Sequence, residues 1–213
     1  MQFFDRENAI IVCLYLAITE MIIGYFTIMD EADYLDGADV PIYDYLYGLD
    51  ILLVSLLWMI AVFFFVFRTT SKANTFGAFL MIVGTILLFD RILCIFADVL
   101  WTLDTEGEEL DAVFFIVYLL GMVINGMLVV IGYKTYKGLK FYSHTRGLII
   151  FFLVGSILFR AYQLYENRTA LIDFIEMESS ILLFIFILAS LFDEDIKKCM
   201  GVEIREDLDE FYI

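Results

Sequence analysis

Six long apolar runs alternate with short polar connections along the chain: Ala9–Met29, Ile51–Phe67, Phe76–Trp101, Val113–Tyr133, Gly147–Tyr165 and Leu171–Phe192. A hydrocarbon core of roughly 30 Å takes about 20 residues of helix at about 1.5 Å per residue, and each run reaches that length to within a turn. Inside hydrocarbon every backbone N–H and C=O must be satisfied within its own segment, so the runs predict helices. The pattern therefore predicts an all-α integral membrane protein. Residues 1–192 read as a six-transmembrane-helix bundle built as three helical hairpins, and residues 193–213 as an acidic tail. The first run is long for a cleaved leader and carries Glu20, so it reads as a retained span.

Composition sharpens the class. The chain is 62% hydrophobic, whereas soluble domains are ordinarily about half apolar. Its formal net charge of −16 offers nucleic-acid phosphates nothing, so no nucleic-acid partner is expected. The distribution of charge orients the spans. Arg6, Arg68, Lys72, Lys134, Lys137, Lys140, Arg146, Lys197, Lys198 and Arg205 are ten of the thirteen basic residues, and all fall on one side of the six-span plan. Arg168 alone lies in the opposite connections, which carry acidic clusters around Asp30–Asp50 and Asp104–Asp111. The positive-inside rule then places both termini in the cytoplasm, in a multi-pass plasma-membrane topology. Tyr34, Tyr43, Tyr45, Tyr47 and Trp101 suit an outer aromatic belt, and Pro41 falls in the longest outer loop. Asn167-Arg168-Thr169 matches the N-glycosylation acceptor on that side, a three-residue pattern that also arises by chance.

The informative residues are charges that span length forces into the membrane. Only about 14 apolar residues precede Asp90 and Arg91 in the third run, and about 13 precede Arg160 in the fifth, too few to cross alone. The sixth run has a comparable clean stretch from Ser179, with Glu176 and Glu178 on its outer side. Counting from the cytoplasmic ends sets Arg91, Arg160, Glu176 and Glu178 roughly 18–24 Å up, with Glu20 near the midplane. Each isolated intramembrane charge costs about 2.5–3.5 kcal/mol on insertion scales, so these groups are expected to meet one another rather than lipid. Helical spacing agrees: Arg91 shares a face with Gly84 and Asp98, and Arg160 shares one with Ser156, Gln163 and Asn167. The candidate intramembrane pocket is thus Glu20, Asp90, Arg91, Asp98, Arg160, Gln163, Glu176 and Glu178, although Glu178 projects away from Glu176 along its helix. Spans two and four carry no such charge and read as better suited to lipid contact, span four also offering Tyr118, Gly121, Asn125 and Gly132 as a small, polar packing face.

Four carboxylates (Glu20, Asp90, Glu176, Glu178) face two guanidiniums, an excess to be relieved by protonation, water or a bound cation. The plainer alternative has the same residues as structural ion pairs that fix helix register. Val83-Gly84-Thr85-Ile86-Leu87 recurs as Val154-Gly155-Ser156-Ile157-Leu158, an echo that either a duplication or shared composition accounts for.

Absent residues limit the chemistry. His144 is the only histidine and lies in a cytoplasmic loop of this plan, so no histidine-ligated zinc, haem or Ser–His dyad is expected within the bundle. No lysine occupies a predicted span, and no nucleotide-binding glycine motif occurs. Cys13 and Cys94 read as small packing residues. No enzyme activity, cofactor or metal site is expected. The reading is a non-enzymatic sensory or accessory subunit that binds a small polar ligand or cation from outside and acts through a protein partner. A small cation- or proton-coupled transporter and a purely structural subunit are the alternatives.

Overall fold

The computed structural model describes residues 4–34, 42–68, 71–104, 112–139, 143–166 and 171–200. Among them there is no strand. Seven helices follow in order: α1 (Arg6–Tyr34), α2 (Ile42–Phe67), α3 (Lys72–Asp104), α4 (Ala112–Tyr136), α5 (Ser143–Glu166), α6 (Leu171–Ser190) and α7 (Glu194–Cys199). The stretches Arg6–Ile28, Leu49–Phe67, Lys72–Leu100, Tyr118–Tyr136 and Thr145–Tyr165 are long and apolar enough to cross a membrane. Among the described residues the protein is therefore all-helical, with five candidate membrane spans. The sixth predicted span corresponds to α6, which is not among the five. Its first turns carry Asp173, Glu176 and Glu178, so a clean apolar stretch begins only at Ser179. The sequon at Asn167, Pro41 and residues 201–213 of the tail lie outside the described residues, as do the side chains of the expected aromatic belt.

Local signals start and stop the helices where polar side chains can take orphan backbone groups. Asp5 accepts the Asn8 N–H at 2.7 Å and opens α1, and Ser71 accepts the Asn74 N–H at 3.4 Å ahead of α3. At the end of α4, Gly138 takes φ +64°, the Gly138 N–H bonds to the Thr135 carbonyl at 3.1 Å and the Leu139 N–H to Lys134 at 2.9 Å. This paired pattern around a left-handed glycine is the Schellman stop.

Helix α1 packs on α2, α3 on α4 and α5 on α6, while α2–α3 and α1–α6 contacts join these pairs. The α3–α4 pairing is the most extensive and rests on glycines. A Cβ on Gly132 would lie 2.5 Å from the Met81 nitrogen and 2.6 Å from the Gly77 carbonyl oxygen. One on Gly84 would lie 2.7 Å from the Asn125 carbonyl oxygen. Backbones therefore touch directly, as small residues permit in membranes. The glycine-bearing face of span four is thus a packing surface, while Leu119, Leu120, Val123 and Val130 stay exposed on the other side. Span two divides likewise, with Val54, Trp58, Ala61 and Phe65 in the core and Leu52, Leu56, Ile60 and Phe63 exposed. Gly132→Ala is expected to lower the melting temperature measurably, at about 1–3 kcal/mol of overpacking, while Gly155→Ala changes little because open space surrounds it. Equal melting of the two variants would contradict this packing. The same contrast separates the two copies of the sequence echo: Gly84 is pressed against α4 and Gly155 is not.

The surface of the bundle is apolar. Phe67 and Phe151 are 82% and 72% exposed and belong to a broad set of exposed large hydrophobics. So extensive an apolar exterior suits lipid rather than water.

One end of the bundle is closed by aromatic packing and an ion pair on a buried carboxylate. Phe4 sits edge-on to Phe76 with centroids 4.9 Å apart, and Phe79 to Phe186 at 5.5 Å. Beneath them Asp193, 1% exposed, binds Lys72 Nζ at 2.9 Å. It also accepts the Phe4 N–H at 3.3 Å and caps α7 through the Asp195 N–H at 3.1 Å. The expected acidic tail therefore starts as structure: Ile196 and Met200, one helical turn apart, are buried in the core.

Candidate functional site

Towards the other end of the bundle, polar side chains from several helices turn inward. Helix α1 carries the Cys13–Glu20–Gly24 face inward, with Cys13 and Gly24 buried and Glu20 half-buried. The Ser55 hydroxyl on α2 donates to the Ala17 carbonyl at 2.9 Å and ties these two helices together just below Glu20. Helix α3 contributes Asp90, Arg91, Cys94 and Asp98, which span two turns and are all half-buried. The Arg91 Nε lies 3.9 Å from Asp90 Oδ2, an ion pair without a short hydrogen bond. Its guanidinium covers the Tyr118 ring of α4 at 5.3 Å, and the Tyr118 hydroxyl donates to Asp98. Gly121 lies beside this arginine, where a Cβ would meet Arg91 Nε in ordinary contact at 3.8 Å.

Arg160 on α5 feels the charges of Arg91, Glu176 and Asp90, and Glu20 feels those of Asp90, Glu176 and Asp50. Four helices thus bring Glu20, Asp90, Arg91, Arg160 and Glu176 into one electrostatic group. Asp98 joins its edge through Tyr118. Gln163 is half-buried on α5, and its Oε1 is buried with no hydrogen-bond partner among the described residues. Glu178 is exposed; two residues beyond Glu176, it emerges on another side of α6.

Two members were missed. Asp50 was counted with the acidic outer loop, because the apolar run begins only at Ile51. In the structure α2 begins earlier, at Ile42, and Asp50 is 3% exposed. Cys94, read as packing, donates from Sγ to Asp50 Oδ2 at 3.7 Å. One donor atom each from Asp50, Asp90 and Cys94 lie within 4.8 Å of one another, a grouping to which sequence reading assigned no metal. With Asp50 in place of Glu178 the balance is again four carboxylates (Glu20, Asp50, Asp90, Glu176) against Arg91 and Arg160. Two formal negatives in excess, in a medium of low dielectric constant, are relieved by protonation, water or a bound cation.

A small gap between α4 and α5, bounded by Leu128, Ile131, Ile149 and Leu153, is lined by apolar side chains and has no group for such chemistry. No family model, curated protein or solved structure matches the chain. The functional reading therefore rests on this geometry.

Proposed function

We propose that the chain is a six-span membrane protein of the plasma membrane, built as three helical hairpins with both ends cytoplasmic. It would bind a small cation or polar ligand in the charged group from the outside. Occupancy would then pass to a protein partner, without chemistry on the ligand, as in a sensory or accessory subunit.

A sixth crossing by α6 is supported by the contact of Phe4 with Asp193. When the segments before α1 and after α6 meet at one end of a bundle, the intervening chain crosses an even number of times. The basic residues Arg68, Lys72, Lys197 and Lys198 cluster around that same end of the chain path, which favours its cytoplasmic placement. The observation that carries the functional reading is asymmetry. Charges gather from five helices in one half, and the other is sealed by Phe4, Phe76, Phe79 and the Lys72–Asp193 pair. A receptor needs one open side; a carrier needs two.

The transporter reading keeps one specific support. Of the five candidate spans, the one in α5, which bears Arg160, is the least buried in the bundle, so fewer contacts hold it in place. Reconstitution decides between them. Protein in liposomes is expected to pass no cation, and affinity purification from membranes to retain a stoichiometric partner that Arg160→Ala releases. Cation flux abolished by Arg160→Ala, without a partner, would overturn the sensory reading.

A further inference from the structure

The geometry points to a divalent transition-metal site formed by Asp50, Asp90 and Cys94, which deepens the proposed function by naming the class of cation. Asp50 supplies the independent support. It is 3% exposed, and its Oδ1 is fully buried with no hydrogen-bond partner among the described residues, while Oδ2 takes only the long Sγ contact from Cys94. A buried carboxylate oxygen left without a donor is costly, and an oxygen ligand of a metal is satisfied. Asp90 also keeps lone pairs available, because Arg91 approaches it only to 3.9 Å.

The donor set chooses the metal. Calcium and magnesium take oxygen ligands, whereas a thiolate with carboxylates suits zinc and its neighbours. Three protein donors leave a tetrahedral ion one open position, to be filled by water. On binding, the Cys94 thiol gives up its proton to solvent and its sulfur becomes a thiolate ligand. The group then changes from an excess of two negatives to one. Zn–O is about 2.0–2.2 Å and Zn–S about 2.3 Å, so donors now spread over 4.8 Å draw together. Asp50 belongs to α2 and the other two ligands to α3, so the ion cross-links these helices. That movement is a means of reporting occupancy to a partner.

The test uses full-length protein in nanodiscs titrated with Co2+ as a spectroscopic stand-in, then with Zn2+. One Co2+ per chain is expected, with a near-ultraviolet thiolate charge-transfer band that Zn2+ displaces. Cys94→Ser and Cys94→Ala should lose the band. Asp50→Asn and Asp90→Asn should weaken binding by about tenfold or more, since even outer-shell partners matter to that degree. Cys13→Ser should leave the band unchanged. Metal-free melting of each variant checks that it is folded. Absence of stoichiometric Co2+ binding, or a band that survives both Cys94 variants, overturns the site. Failure here with partner retention still lost in Arg160→Ala removes the metal and leaves the sensory reading. A metal bound as described, with Arg160→Ala affecting neither partner nor flux, does the reverse.

Discussion

Asp193→Ala is expected to cost about 2–4 kcal/mol of stability, from a lost helix cap and a buried N–H left without an acceptor. Two backbone donors lose their acceptor at once, the Phe4 N–H and the Asp195 N–H, and Lys72 Nζ keeps only Asp195 at 3.2 Å. The α7 cap goes with them, and with it the position of Ile196 and Met200 in the core. Asp193→Asn should be milder, because asparagine caps helices well and only the charge is lost. Asp195→Ala supplies the control. That carboxylate is 51% exposed at 3.2 Å from Lys72, and exposed pairs contribute about 0–1 kcal/mol. Thermal unfolding in detergent, with proteolysis after α6, reads the difference. Equal loss in Asp193→Ala and Asp195→Ala would refute the closed end described above.

Arg91→Ala carries the second large effect. It removes the ion pair with Asp90 and the cover over Tyr118, and leaves Arg160 alone against four carboxylates. Loss of about 3–5 kcal/mol and of extractable protein is expected. Arg91→Lys keeps the charge but not the planar stacking, and should fall between. The Arg91→Ala, Asp90→Asn double variant should recover part of the loss, since residues in contact are not additive. Glu178→Gln should melt like the wild type, because that side chain is exposed. The cycle is measured by thermal unfolding in nanodiscs. Additive effects at 90 and 91 would show that the two do not act as a pair.

Much of the charged group was legible because span length left no alternative for it. Asp90, Arg91 and Arg160 interrupt runs too short to cross a membrane, and periodicity aligned Arg91 with Asp98. Asp50 was not legible, since one position separates it from the apolar run and nothing local marks a helix that begins at Ile42. Its role depends on Cys94, 44 residues away. Glu178 was included for its depth, although a two-residue offset from Glu176 turns it aside. The closed end was hidden for the same reason as Asp50, with Lys72 and Asp193 separated by 121 positions. A local signal for α7 did exist. Asp193 precedes Glu194 and Asp195 in the first turn and Lys197 and Lys198 in the last, the charge order of a capped helix.

The central claim is that two negative charges of the outer group await a cation. Its most direct measurement is the melting temperature of the protein in nanodiscs with and without an added divalent ion. A ligand at about 100 times its dissociation constant stabilises the form it binds by roughly 2.7 kcal/mol. Wild type is expected to gain on that scale with Zn2+, and the charge-balanced Glu20→Gln, Asp50→Asn variant to gain nothing. An equal response in both proteins, or none in the wild type, would contradict it.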